Sequence, residues 1–169
     1  MGIQSYSNRL TTDSCKSLSV KFLNEYHYFD GGIRQGGCSW GRNGKETNNI
    51  GFMVSTIKDE GYVHFQYVYT NGGTGEKTEL NYRARLIWVP HYFGGGRWWF
   101  ICPLVINDQP CNRRVGVLYL GNGKYFGCRH CYNLTYQSCK DSHSFDKAAR
   151  EIGMTPQEYK SALKNLGYI

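Results

Sequence analysis

The sequence feature that most constrains the fold is a set of two cysteine pairs between residues 97 and 131. Cys102 and Cys111 are separated by eight residues, whereas Cys128 and Cys131 form the short motif C-x2-C. The segment between the two pairs has the composition of a β-hairpin. Four thiolates brought together from two chain directions are the ligands that tetrahedral zinc prefers. The sequence therefore predicts a four-cysteine zinc ribbon with a structural Zn²⁺, since four thiolates leave no position open for water.

Two alternatives to this ligand set remain open at the level of sequence. The thiols can be buried without metal or joined as disulfides. Cys139 and His143, spaced C-x3-H, can also combine with the C-x2-C pair, which would leave Cys102 and Cys111 idle. The total of seven cysteines is odd, and the N-terminus lacks the apolar core of a signal peptide. We therefore expect the protein to be cytoplasmic. In the reducing cytosol, paired cysteines bind metal more often than they form disulfides.

The chain before the cysteines has the patterns of an antiparallel β domain. Residues 62–70 and 78–89 alternate apolar and polar side chains, so each predicted strand has one buried face and one solvated face. Arg83 and Arg85 fall on the solvated face. Three further segments have weaker signals: strands are predicted at 18–29 and 50–57, and turns or a mobile loop at the Gly- and Asn-rich residues 30–49.

Helix signals are confined to the C-terminal residues. Residues 144–153 are predicted as a short helix, and Thr155 and Glu158 have the spacing of a capping box at the start of a second one. The predicted fold class is α+β and mostly β. Its parts are an antiparallel β domain over residues 1–96, a zinc ribbon over 97–140 packed on it, and C-terminal helices over 141–169.

Basic residues are concentrated around the cysteines. The formal net charge of the chain is +7, and residues 97–140 contain six Lys and Arg residues against Asp108 alone. Such an excess is typical of surfaces that bind nucleic acid or another polyanion. The candidate contacts form a basic rim around the predicted ribbon: Arg97, Arg113, Arg114, Lys124 and Arg129. Arg83 and Arg85 are added as a basic strand face, and Trp40 either covers the sheet or offers a ring for base stacking.

One stretch also resembles a known group of proteins. The run RWWFICP…CNRRVGVLYL…YFGCRHCYNLTYQS, over residues 97–138, is similar to a family of uncharacterised bacterial and phage proteins with a zinc-ribbon signature. The resemblance implies that Cys102, Cys111, Cys128 and Cys131 are the ligands, and Cys139 lies beyond the shared pattern. The resemblance implies a zinc-ribbon feature and a metal, and it brings no known activity. We expect a protein of a phage or mobile element.

The sequence predicts a binding protein and not an enzyme. It contains no P-loop, dinucleotide fingerprint, H-E-x-x-H motif or nucleophile elbow, and no small-molecule substrate is evident. No apolar run is long enough to span a membrane. We expect a non-catalytic protein that binds nucleic acid through the basic rim. The alternative is a protein-binding module, such as a phage-encoded inhibitor of a host defence (CRISPR-type) complex.

Overall fold

The computed structural model describes four stretches of the chain, residues 9–42, 45–57, 61–121 and 124–168. Within them, the side chains of residues 41–42, 45–49 and 142–144 are not described. The chain divides into two compact units. The larger unit is Cys15–Tyr132, and the smaller one combines Met1–Ser14 with Asn133–Ile169.

The larger unit is mostly antiparallel β structure, as the sequence predicts. In chain order its elements are β1 (Lys16–Ser19), α1 (Val20–Glu25), β2 (Ile33–Arg42), β3 (Lys45–Ser55), β4 (Gly61–Thr70), β5 (Lys77–Pro90), β6 (Gly96–Ile101), β7 (Val105–Ile106), β8 (Gln109–Pro110), β9 (Arg114–Val115) and β10 (Val117–Leu120). Six strands form one sheet in the order β2-β3-β4-β5-β6-β9, and β1 pairs with β10 and β7 with β8. The segments KDEG and GNGK predict turns that include residues 58–60 and 122–123, and these residues lie outside the described part of the chain.

The alternation predicted for β4 and β5 is confirmed by burial. Val63 and Phe65 on β4 and Leu86 on β5 are inaccessible to solvent, whereas Arg83 and Arg85 between the buried positions of β5 are exposed. Strand geometry places every second side chain on the same face. The sheet therefore has an inner face that faces the core and an outer face that carries the arginines.

The core on the inner face combines aliphatic and aromatic side chains. Phe65 of the central strand stacks on Phe126, with ring centroids 4.6 Å apart and planes 14° from parallel. Leu23 of α1 and Leu118 of β10 are fully buried in the same cluster. Phe126 lies two residues before Cys128, so the segment that carries the second cysteine pair starts inside this core.

The prediction of turns over residues 30–49 is wrong, because β2 and the first five residues of β3 occupy most of that segment. The two strands pair from Ile33 opposite Ser55 to Arg42 opposite Lys45, with a register shift after Trp40. A Cβ at Gly36 would lie 1.8 Å from the hydroxyl oxygen of Tyr28. Glycine at this position leaves the backbone surface open for a ring, so it indicates close packing here and not a loop.

Residues 18–29, predicted as a strand, are instead a strand end followed by a helix. Ser19 closes β1 and caps α1, because its hydroxyl accepts a hydrogen bond from the Phe22 N–H at 3.0 Å. Val20 and Leu23, three residues apart, are both buried. The Ser19 cap and the buried face of the helix favour a short helix here, although the composition of the segment favours a strand.

Residues 115–120, within the segment that has the composition of a hairpin, do not form one continuous strand but are divided at Gly116. Before it, β9 pairs with β6; after it, β10 pairs with β1, with Val117 opposite Ser19. The Val20 N–H also donates to the Gly116 carbonyl at 2.9 Å. The chain therefore changes sheets here, which composition alone does not reveal.

The smaller unit is helical in its described part. Its helices are α2 (Gln137–Glu151) and α3 (Pro156–Asn165). The unit also contains a 3₁₀ turn over Thr12–Ser14 and a parallel bridge between Thr11 and Thr135. The predicted capping box of α3 is confirmed: Thr155 and Glu158 bond each other's backbone N–H groups. The helix α2 starts at Gln137, seven residues before the predicted start at residue 144.

No helix in the described part of the chain combines the length and apolarity that a membrane crossing requires.

Candidate metal centre

Strand β6 and the small β7–β8 hairpin position the first cysteine pair. Cys102 follows β6, and its N–H donates to the carbonyl oxygen of Arg113 at 2.9 Å. Cys111 follows β8, and its N–H donates to the carbonyl of Leu104 at 2.8 Å. The eight intervening residues thus form a closed hairpin. Its central residues Asn107 and Asp108 both have positive φ, as tight two-residue hairpin turns require.

The second pair lies in a compact turn that leaves the core. Gly127 forms a bridge with Tyr119 through hydrogen bonds of 2.7 and 2.9 Å, and Cys128 follows directly. A Cβ at Gly127 would lie 2.1 Å from Leu104 Cδ1, so this close approach requires glycine or a displaced leucine. The Cys131 N–H points at the Cys128 sulfur over 3.5 Å. The sulfur atoms of both cysteines in the C-x2-C motif lie close to those of the first pair.

The four sulfur atoms lie within 4.8 Å of one another and can hold a metal ion. The Sγ distances are 3.8 Å for Cys102–Cys131, 3.8 Å for Cys111–Cys128 and 3.5 Å for Cys128–Cys131. A regular tetrahedron with Zn–S bonds of about 2.3 Å has S···S edges of about 3.8 Å. Disulfide bonds are about 2.05 Å long, and all seven cysteines are free. The arrangement therefore fits a tetrahedral metal and excludes the disulfide alternative in this structure.

Electrostatics explain why the cluster suits a cation. Burial raises the pKa of Cys102 to about 11 and raises the pKa of Cys131 well above its usual range. Burial also acts to raise the pKa of Cys111, but the Arg113 N–H and the neighbouring thiols lower it overall. Several thiolates cannot share so small a volume without a positive charge between them. A divalent cation supplies that charge and displaces the protons.

The alternative ligand set is not assembled in the described residues. Both cysteines of the C-x2-C motif belong to the group completed by Cys102 and Cys111. Cys139 is exposed on α2, and the side chain of His143 lies outside the described ones.

Four of the predicted binding arginines share the outer face of the sheet. Strand pairing sets Arg85 opposite Tyr62 and Arg83 opposite His64. It also sets Arg97 opposite Val89, and Arg114 opposite Ile101. Residues directly opposite in an antiparallel pair lie on the same face. Strands β5, β6 and β9 thus bring together arginines separated by up to 31 positions in the sequence, which we call the arginine face: Arg83, Arg85, Arg97 and Arg114.

Aromatic rings hold three of these guanidinium groups. The Cζ atoms of Arg97 and Arg114 lie 4.7 and 5.6 Å from the ring centre of Trp99, and that of Arg83 lies 4.5 Å from the ring centre of Tyr62. Cation–π contacts of this kind attract the charge without neutralising it. Among the described residues, no carboxylate lies within 4 Å of any arginine of this face.

The remaining predicted contacts lie elsewhere in the larger unit. The Lys124 amine lies 5.3 Å from the ring centre of Tyr69, whose side chain belongs to the inner-face series of β4. Arg113 is exposed beside the first cysteine pair, and Arg129 is half-buried within the C-x2-C turn. The predicted rim is therefore divided between the arginine face and the surroundings of the cysteines.

Trp40 packs against the hydrophobic core. It is half-buried, with its ring centre 6.5 Å from that of Phe126. Of the two roles considered for it, this placement favours covering the sheet over base stacking.

Sequence reasoning missed two exposed aromatic residues. Tyr92 and Phe93, in the loop between β5 and β6, are each 96% exposed. The signal in the sequence was an aromatic pair placed between Pro90 and three glycines, where a turn gives large rings nothing to pack on.

Comparison with known proteins identifies no relative. No protein-family model matches the chain, and no curated protein or solved structure is significantly similar to it. The likeness of residues 97–138 to the zinc-ribbon pattern stays a prediction.

Proposed function

We propose that this chain is a non-catalytic nucleic-acid-binding protein whose four-cysteine centre holds one structural Zn²⁺. The sulfur geometry supports the metal, and thiolate ligands favour zinc among the divalent ions that adopt tetrahedral geometry. Four thiolates complete the coordination shell, so the ion's role is to fix the chain and not to activate water.

The observation that carries the nucleic-acid proposal is the arginine face. Its four guanidinium groups lie on adjacent strands, and in the described structure none is paired with a carboxylate. Charges held by rings on a rigid sheet are preorganised for phosphate oxygens, which arginine binds in bidentate fashion. Such contacts supply affinity and orientation without reading base sequence.

The salt dependence of binding tests this proposal. We expect the double variant Arg97→Ala/Arg114→Ala to bind DNA or RNA more weakly and to reduce the slope of log K against log salt. The slope should fall by about 0.7–0.9 for each phosphate that is no longer neutralised. Fluorescence anisotropy between about 50 and 200 mM salt measures the slope.

The matched control removes two positive charges from the helices. Arg150→Ala/Lys164→Ala changes exposed residues of α2 and α3 by the same total charge. Its slope should equal that of the unchanged protein. Absence of any salt-sensitive binding, or an equal reduction in the control, would refute a specific role for the arginine face.

One observation favours the second candidate, a protein-binding module. In the described sheet, β2 pairs only with β3 and is therefore an edge strand. An edge offers backbone groups to which an extended segment of another protein can add. Recovery of one stoichiometric protein partner after nuclease treatment, without oligonucleotide binding, would favour this function over the first.

A further inference from the structure

The tip of the β5–β6 hairpin presents two aromatic rings to solvent in a defined turn. Pro90 pairs with Gly96 at the end of the strands, and Tyr92 and Phe93 lie between them. The His91 N–H donates to the Gly95 carbonyl at 3.1 Å, and the Gly94 N–H donates to the His91 carbonyl at 3.2 Å. The hydrogen-bonded turn therefore holds the rings outward.

Neither ring contributes to the core of this chain. Both are 96% exposed, and they lie against each other, with 5.1 Å between centroids and 89° between planes. Two neighbouring rings without burial are suited to receive flat apolar surfaces from a ligand.

Beyond Glu79, near the start of β5, the hairpin that carries the rings has no negative charge. Between Glu79 and Asp108 the sequence contains Arg83, Arg85 and Arg97 but no carboxylate. The ligand that meets this hairpin is therefore expected to carry negative charge beside flat rings.

The arginines continue from the tip along the outer face. Arg97 is level with Val89 near the tip, and Arg83 lies six residues farther along β5. At about 3.4 Å per residue, this distance is about 20 Å. This distance exceeds the Debye length of about 8 Å at physiological salt. A ligand must therefore extend along the sheet to interact electrostatically with all the arginines.

We propose that the ligand of this surface is a single-stranded nucleic acid. Its bases stack on Tyr92 and Phe93, and its phosphates follow the arginine face toward Arg83. This inference rests on the proposed function and specifies its ligand. A duplex hides the faces of its bases, whereas a flexible single strand exposes them and can follow the sheet. A flat lipid surface in contact with the tip would leave Arg83 far from its charges.

Oligonucleotide binding by a tip variant tests the inference. The probes are labelled oligothymidylate and oligouridylate of about 12 nucleotides, within the range that single-strand-binding folds cover, and a duplex of equal length. We expect the unchanged protein to prefer the single strands. The variant Tyr92→Ala/Phe93→Ala should bind them roughly 10- to 100-fold more weakly with an unchanged salt slope, because the stacking rings are removed while the arginines still bind phosphate.

The control is Leu166→Ala/Tyr168→Ala, which removes two exposed apolar side chains of the smaller unit and should leave binding unchanged. Equal affinity for duplex and single strand, with no effect of the tip variant, overturns this inference and leaves nucleic-acid binding standing. Failure of every oligonucleotide overturns both. Binding to phosphatidylglycerol vesicles in place of oligonucleotides, abolished in the tip variant, also overturns both in favour of a lipid surface.

Discussion

Two tyrosine hydroxyl groups connect the sheet to the segment that enters the C-x2-C motif. The Tyr82 hydroxyl accepts a hydrogen bond from the Phe126 N–H at 2.7 Å and lies 3.1 Å from the hydroxyl of Tyr67. The Tyr67 hydroxyl in turn donates to the Lys124 carbonyl. Burial raises the pKa of Tyr67 to about 12 and that of Tyr82 further, so both stay protonated and can donate. Together they fix the backbone just before Cys128.

Removing the Tyr82 hydroxyl should destabilise the protein more than removing that of Tyr67. Tyr82→Phe leaves the N–H of the fully buried Phe126 without its acceptor, which costs about 1–3 kcal/mol in the free energy of unfolding. Tyr67→Phe frees the carbonyl of the exposed Lys124, which water can reach, so its effect should be smaller. Urea denaturation of both variants measures the difference. Equal destabilisation would show that the Phe126 hydrogen bond has no special weight.

Residue spacing predicted the cysteine cluster but not these tyrosines. Four soft ligands in two pairs are recognisable because few other structures require them. Tyr67 and Tyr82 sit 15 positions apart in an alternating pattern that only indicates a half-buried strand. Their partners, the Lys124 carbonyl and the Phe126 N–H, reach them only because of how the chain returns to the sheet.

At the scale of elements, local signals succeeded where a capping motif was complete. α3 begins with Thr155, Pro156 and a reciprocal hydrogen-bonded pair with Glu158, all visible in the sequence. α2 lacks such a signal, because Tyr136 at its N-cap forms no side-chain capping bond. The sequence therefore does not indicate that α2 starts at Gln137.

Removal of the cap should shorten α3. Thr155→Ala removes the side chain that accepts the Glu158 N–H, and loss of an N-cap costs about 0.5–2 kcal/mol of helix stability. Amide hydrogen exchange of Glu158 and Tyr159 should become faster, while Thr155→Ser should retain protection because serine also caps. Unchanged exchange in Thr155→Ala would indicate that packing and not the cap holds this end.

At the scale of the whole molecule, the four-cysteine cluster and the sheet belong to one compact unit. Cys102 follows β6 directly, and Cys128 is two residues from Phe126 in the core. Both cysteines are at most 1% exposed. The free energy of metal binding should therefore stabilise the sheet and not only its own turns.

Removal of the metal should lower the stability of the entire larger unit. At a free zinc concentration about 1,000 times the dissociation constant, binding stabilises the folded state by about 4 kcal/mol. We expect one zinc per chain by elemental analysis, and a lower midpoint of tryptophan-detected unfolding after chelation or in Cys131→Ser. Cys139→Ser, which changes an exposed cysteine outside the cluster, should match the unchanged protein. A protein that keeps its midpoint without metal would contradict this coupling.

The sequence by itself determined the features that depend on short-range periodicity and chemistry. These are the four clustered cysteines, the two faces of β4 and β5, and the capped start of α3. Each follows from side chains a few positions apart, whose preferences are the same in any surrounding structure.

Only the tertiary structure decided the features that depend on distant parts of the chain meeting. It placed the glycine-rich β2 at the edge of the sheet, changed the pairing partner at Gly116, and assembled the arginine face from three strands. Strand order and register are set by burial and hydrogen bonding between remote segments, which leave no periodic signal in either segment alone.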